Sequence, residues 1–273
     1  MSSASPIVES GGRIYAIALN TLREARRHRV IHGIAAAAVA VNLFAMFLGD
    51  MSLGNEARVA VDVGLAGVSF FGSITAIVIG VMLLYSELER RTIHTVASKP
   101  IARWELVVGK YLGMVLTLTL LLLLFTAAML VLLWARDVAL TSVLVRSLVL
   151  VWLEVIVMAG VALLFSSFST PFLSGMMALA IFLIGRTTPD LAAAAERADV
   201  GLVRWVSEAA LYIVPDLHLF SPSGRPVAGD AVLSIHGNFV SWAYVGSAAG
   251  YAALVIIAVV GLAAVILSRR DFS

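Results

Sequence analysis

Six long apolar runs dominate this sequence and constrain its fold more than any other feature. A run of about 20 apolar residues is long enough to cross about 30 Å of hydrocarbon as a helix. Strands of a membrane barrel would alternate apolar and polar residues, whereas these runs are continuous. They predict one all-α integral membrane domain, residues 1–273, with six transmembrane helices at 30–49, 63–86, 111–135, 143–168, 172–187 and 242–267.

The composition excludes the other broad classes. Apolar residues make up 61% of the chain and charged residues only 13%, against about half and about a quarter in soluble domains. A water-facing globule could not cover itself with so few polar side chains, and a disordered chain would be rich in charge. A net charge of +2 is too small to indicate a nucleic-acid partner. The absence of cysteine excludes disulfides and thiolate chemistry.

The fourth and fifth spans form one uncharged stretch that is too long for a single crossing. Val155 to Gly185 contains no formal charge. A Ser/Thr-rich segment ending in Pro171 interrupts it, and proline cannot continue a helix. We therefore predict a tight hairpin there, and a short fifth span that is tilted or only partial.

The basic residues predict the orientation of the chain. Loops on the cytoplasmic side of a membrane are enriched in Lys and Arg. Twelve of the 19 basic residues fall before the first span, between the second and third spans, or in the tail. Both termini are therefore predicted to be cytoplasmic. The twelve are Arg13, Arg23, Arg26, Arg27, Arg29, Arg90, Arg91, Lys99, Arg103, Lys110, Arg269 and Arg270.

Residues 12–29 have the pattern of an amphipathic helix. Apolar positions from Ile14 to Ala25 recur every three or four residues and share one face. We interpret the segment as an interfacial elbow helix with arginines directed at lipid phosphates. The alternative is a plain helical lead-in to the first span. The arginines concerned are Arg23, Arg26, Arg27 and Arg29.

Residues 87–105 are too polar to span the membrane and too long for a tight turn. Ile93, Val96 and Ala97 form a short apolar ridge that Pro100 ends. A short helix below the membrane could dock on a soluble partner, while the alternative is a solvated loop that only sets topology. The candidate docking residues are Glu87, Glu89, Arg90, Arg91, Thr92, His94, Ser98 and Lys99.

The connection at 188–241 is the largest segment predicted on the outer side. It carries a helical pattern from about Glu196 to Ile213 and then a Ser/Pro/Gly-rich turn. Trp205, Tyr212 and Phe220 suit an interfacial aromatic belt. We expect a cap that is partly seated in the membrane.

This layout resembles the permease subunits of ABC-2-type ATP-binding-cassette transporters, in particular the NosY-like permeases. The topology match covers the whole chain, and the most specific motif lies in the second cytoplasmic loop. The residues that carry the resemblance are the segment Ala18 to Arg29, the loop from Glu87 through Lys99-Pro100-Ile101-Ala102-Arg103 to Gly113, Pro215-Asp216-Leu217-His218-Leu219-Phe220 and Arg269-Arg270-Asp271-Phe272.

The resemblance implies a type V exporter-like fold with an elbow helix and a coupling helix near Glu87 to Lys99. It implies two copies of a separate ATPase that binds ATP and Mg. It also implies pairing with a second copy of this chain or with a paralogous permease, surrounded by membrane lipids. The expected location is the cytoplasmic (inner) membrane of a bacterium.

The chain itself lacks the residues for ATP hydrolysis. The phosphate-binding loop requires Gly, four residues, and then Gly-Lys-Ser/Thr. The only Gly-Lys pair, Gly109-Lys110, is followed by Tyr111. His28 and His32 are four residues apart but have no third ligand at a supporting spacing. We therefore predict no catalytic residues, metal site or cofactor in this chain.

Glu154 is the exception among the spans, since it lies near the middle of the fourth. A carboxylate there costs about 2.5–3.5 kcal/mol on insertion scales unless it is paired or protonated. One interpretation places Glu154, with Asn42, on the substrate route or at a dimer interface. The other is a structural carboxylate that accepts a hydrogen bond from Asn42 or from a neighbouring Ser or Thr.

Three functions are consistent with these features. The first is an ABC permease that exports a substrate by alternating access. The second is an ATP-driven mechanotransmitting or scaffold subunit of a larger envelope complex. The third is a secondary transporter or channel, which usually buries several ionisable residues.

Overall fold

The computed structural model describes residues 6–51, 56–89, 102–136, 141–197, 201–221, 226–227, 231–232 and 240–269. Within these ranges the helices are Pro6–Arg26 (α1), Arg29–Asp50 (α2), Glu56–Glu89 (α3), Arg103–Trp134 (α4), Ser142–Ser166 (α5), Pro171–Arg186 (α6), Thr188–Arg197 (α7), Gly201–Ile213 (α8) and Trp242–Arg269 (α9). A 3-10 turn covers Leu217–Phe220. Strands Pro226–Val227 (β1) and Ala231–Val232 (β2) pair antiparallel.

The predicted all-α membrane class is confirmed. Five helices are long and apolar enough to cross a bilayer: α2, α3, α4, α5 and α9. The sixth crossing is irregular, because α6 passes the same test only together with α7, and these two helices meet at a bend of 67°. α6 has 16 residues and is therefore about 24 Å long. It is too short to cross the hydrocarbon alone.

α3 and α4 are longer than a membrane crossing requires. Both helices extend into the predicted loop at 87–105 and so shorten it. They contain 34 and 32 residues, so each is about 50 Å long. α3 continues to Glu89, which makes Glu87 and Glu89 helical, and α4 already begins at Arg103. The remaining candidate docking residues lie outside the described part of the chain: Arg90, Arg91, Thr92, His94, Ser98 and Lys99.

The elbow helix has different bounds from those predicted. α1 begins at Pro6 and ends at Arg26, whereas the prediction was 12–29. His28 has an extended backbone, with φ −76° and ψ 116°, and therefore separates α1 from α2. As a result Arg23 and Arg26 lie in the last turn of α1, Arg27 lies in the turn, and Arg29 opens α2.

α3 and α5 form the centre of the bundle. Of their span residues 67% and 72% are buried, whereas only 22–28% of the span residues of α2, α4 and α9 are buried. Since the exposed residues of these outer helices are largely apolar, they suit contact with lipid rather than water.

The C-terminal end of α6 is held by the segment that precedes α9. A Cβ at Gly185 would lie 2.7 Å from the Pro215 carbonyl oxygen, so only glycine allows this approach. The Thr188 hydroxyl donates to Asp216 Oδ1 at 2.6 Å. The Asp216 amide in turn donates to the Tyr251 hydroxyl oxygen at 2.9 Å. These contacts fix the end of α6 against α9.

Candidate functional site: the N-terminal end of α4 and an intramembrane ion pair

Two glycines of α4 allow α1 to pack directly against it. A Cβ at Gly109 would lie 2.8 Å from Ile17 Cβ, and one at Gly113 would lie 2.5 Å from Thr21 Cβ. Residues four apart share one face of a helix, and small residues there let two backbones approach closely. The elbow helix is thus fixed to the N-terminal end of α4.

A bidentate ion pair also joins α1 to the first turn of α4. Arg13 Nε donates to Glu105 Oε2 at 3.0 Å, and Arg13 Nη2 donates to Glu105 Oε1 at 2.9 Å. Glu105 also accepts the Ala102 amide at 3.3 Å and is 2% exposed. A carboxylate in the first turn of a helix satisfies free amides there. Glu105 therefore both caps α4 and binds α1.

Two further cations connect α4 to its neighbours. Arg103 Nη1 donates to the carbonyl oxygens of Leu267 and Ser268, at 3.0 and 3.3 Å, and so caps the C-terminus of α9. Lys110 is 1% exposed, and its Nζ donates to the Leu83 carbonyl of α3 at 2.6 Å. We call Arg13, Arg103, Glu105 and Lys110 the α4 junction, since they tie α1, α3 and α9 to the first two turns of α4.

The residues of the α4 junction are visible in the sequence, but the contacts between them were not predicted from it. Arg103 and the Gly109-to-Gly113 stretch were part of the motif that carried the family resemblance. Glu105 was interpreted only as the beginning of a helix. The four-residue spacing of the glycines was the available signal, but it does not say which helix packs there.

We expect that Glu105→Gln will lower the thermal stability of the folded chain. The amide keeps the cap but loses the charge that pairs with Arg13. The exchange Arg13→Glu with Glu105→Arg should be more stable than Glu105→Arg alone, as measured by thermal unfolding in detergent. If the exchange fails to improve on the single variant, the ion pair does not attach α1.

The four elbow arginines are all exposed. No described residue forms a hydrogen bond or ion pair with any of the four guanidinium groups. Free guanidinium groups near the start of α2 are suited to phosphate oxygens. Their role as lipid contacts stays a prediction.

Glu154 lies in a polar cluster between three helices. Its side chain is 0% exposed. Ser69 Oγ of α3 donates to Glu154 Oε2 at 2.6 Å. Arg186 Nη1, at the end of α6, donates to Glu154 Oε1 at 3.2 Å and to Ser69 Oγ at 2.7 Å. The carboxylate is therefore paired with a cation inside the bundle.

Of the donors considered for Glu154, the structure provides a serine and not Asn42. Asn42 Nδ2 donates to the Ala38 carbonyl of its own helix at 2.9 Å. Glu154 is buried within the protomer, and its place on a substrate route or at a dimer interface stays a prediction. The expected Ser/Thr donor is present as Ser69. The Arg186 partner was missed because nothing in the sequence relates the end of the predicted fifth span to Glu154.

Among the described residues, no group of three or more His, Asp or Glu side chains is placed to hold a metal ion. His28 and His32 are one turn apart, and His32 Nδ1 lies 3.0 Å from the His28 carbonyl oxygen. That ring nitrogen therefore contacts the backbone.

Fold and sequence together define a multi-pass helical membrane protein. A family model for ABC-2 family transporter proteins matches residues 15–272, nearly the whole chain. The chain belongs to this family, whose members are membrane components that are not catalytic by themselves. No curated protein matches the sequence.

Proposed function

We propose that this chain is the transmembrane permease subunit of an ABC transporter, related to the NosY-like permeases. The observation that carries the proposal is the family match over residues 15–272. Two copies of a partner ATPase would bind ATP and Mg, and this chain would supply the membrane pathway together with a second copy or a paralogous permease.

Residues 87–99 are the proposed docking segment for the ATPase. Its first three residues are the last residues of α3, and α4 begins shortly after it at Arg103. A displacement applied there therefore acts on the cytoplasmic ends of both helices. The α4 junction supports this route, because its hydrogen bonds link the first turns of α4 to α1, α3 and α9.

The proposed mechanism is alternating access driven by the ATPases on the cytoplasmic side of the membrane. ATP binding draws the two ATPases together, and the α4 junction moves α1, α4 and α9 as one unit. The driving free energy has to come from contacts that differ between the inward-open and outward-open states. Export is the direction that we propose.

A mechanotransmitting or scaffold subunit would use the same docking segment and junction. Substrate-stimulated ATP hydrolysis by the assembled complex distinguishes transport from scaffolding. Secondary transport has less support, because Glu154, the carboxylate near the middle of a described span, is paired with Arg186.

Charge reversal at the docking segment provides the test of ATPase coupling. The double variant Arg90→Glu with Arg91→Glu should reduce the amount of ATPase that co-purifies with this chain at least tenfold. Membrane insertion should be unchanged. Arg204→Glu, an exposed position on α8, is the matched control and should leave assembly intact. Normal assembly and ATP hydrolysis in the double variant would remove the docking proposal.

A further inference from the structure

Arg186 uses only one side of its guanidinium within the protein. Its Nη1 binds both Glu154 and Ser69. No described residue hydrogen-bonds to Nε or Nη2. The side chain is 24% exposed, so this second edge reaches the protomer surface.

The free edge of Arg186 has the geometry of an oxyanion site. The Nε–H and Nη2–H groups of an arginine point in parallel and match two oxygens of one carboxylate or phosphate. Because Glu154 binds the other edge, an external anion could bind without breaking the buried pair. The position at the last turn of α6 also favours a fixed cation, since the carbonyl groups there carry partial negative charge.

Apolar side chains surround this polar edge. The Arg186 Cζ lies 5.7 Å from the Phe182 ring centroid, and Phe182 lies 6.2 Å from Phe70. Phe182 is buried, but Phe70 is 45% exposed at the surface. A ligand at Arg186 therefore meets an aromatic surface beside the cation.

An exposed apolar ridge leads away from the site along α6. Leu183, Leu179 and Met176 are all exposed and follow one another at steps of three or four residues, so they share a helix face. The ridge begins at Leu183, about one helical turn before Arg186, and continues toward the N-terminal end of α6. A molecule with an anionic head at Arg186 could place an acyl chain along it.

From this arrangement we infer that Arg186, Phe70 and the α6 ridge form a binding site for an anionic amphiphile, with an oxyanion head group at Nε and Nη2 and an apolar chain along Leu183 and Leu179. The site goes beyond the proposed function. It requires neither an ATPase nor transport, and it stands or falls independently of both.

The test measures lipid binding by the full chain in a neutral detergent. Phosphatidylglycerol and phosphatidylcholine are titrated separately, with the thermal shift and native mass spectrometry as readouts. Phosphatidylglycerol should bind and stabilise the chain, and phosphatidylcholine should not. Inorganic phosphate alone should give little shift because it lacks a chain, and an equal shift with phosphate would overturn the amphiphile assignment.

Three variants assign the binding to this site rather than to the elbow arginines. Arg186→Lys keeps a cation beside Glu154 but loses the two-pronged edge, and should weaken phosphatidylglycerol binding about tenfold. Phe70→Ala leaves the ion pair untouched and should also weaken it. Arg146→Lys, the same change on α5, should have no effect. Wild-type affinity in the first two variants, or an equal loss in Arg146→Lys, would overturn the proposal.

Discussion

Arg186→Met should destabilise the folded chain by about 3–5 kcal/mol, because it leaves Glu154 as an uncompensated buried charge. The carboxylate would retain only the Ser69 hydroxyl as a partner. Residual folded protein after heating in detergent, followed by size-exclusion chromatography, measures the loss.

The exposed ion pair at the C-terminal ends of α2 and α4 is the matched control. Arg136 Nη2 donates to Asp50 Oδ2 at 2.7 Å, and both side chains are more than 40% exposed. Water replaces an exposed partner, and such pairs contribute little. Arg136→Met should therefore leave the stability nearly unchanged. Equal losses in the two variants would mean that burial of Glu154 is not the cause.

Replacing both members of the buried pair should recover most of the lost stability. A well-packed apolar pair is often as stable as a buried ion pair. We expect the double variant Glu154→Leu with Arg186→Met to unfold at a clearly higher temperature than Arg186→Met alone. Glu154→Gln should lower the stability less than Arg186→Met does, because the amide still accepts hydrogen bonds and the Arg186 side chain can reach solvent.

The sequence predicted the spans better than the contacts between them. Apolar runs and the break at Pro171 are properties of neighbouring residues, so the helices could be placed from hydropathy alone. Glu154 was recognisable as a lone carboxylate in an apolar run. Its partner was not, because Arg186 is 32 positions away and reaches Glu154 only because α6 is short and folds back on α5.

The α4 junction shows the same limit at the N-terminal end of α4. Arg13 and Glu105 are 92 positions apart, and nothing local to either residue indicates the other. The amphipathic pattern predicted a helix in the N-terminal segment, but the buried face of that helix meets α4. That register depends on the two glycines of α4, and only the three-dimensional packing relates them to Ile17 and Thr21.

Gly113→Ala should detach α1 from α4, since the added Cβ would lie 2.5 Å from Thr21 Cβ and 2.6 Å from the Ala18 carbonyl oxygen. A backbone atom cannot move aside as a side chain can, so α1 must shift as a whole. Overpacking of this kind costs about 1–3 kcal/mol. In the assembled complex we also expect ATP hydrolysis to lose its response to substrate, because the α4 junction no longer moves α1.

Gly250→Ala on α9 is the matched control for this substitution. It adds the same atom to a helix, and nothing lies within 4 Å of the new Cβ. Alanine favours a helix over glycine by about 1 kcal/mol, so this variant should be as stable as the wild type or slightly more so. If Gly113→Ala behaves like Gly250→Ala in both thermal unfolding and ATP hydrolysis, the close contact between α1 and α4 has no role in coupling. A loss confined to Gly113→Ala assigns the effect to the helix contact, because both variants share the same chemical change.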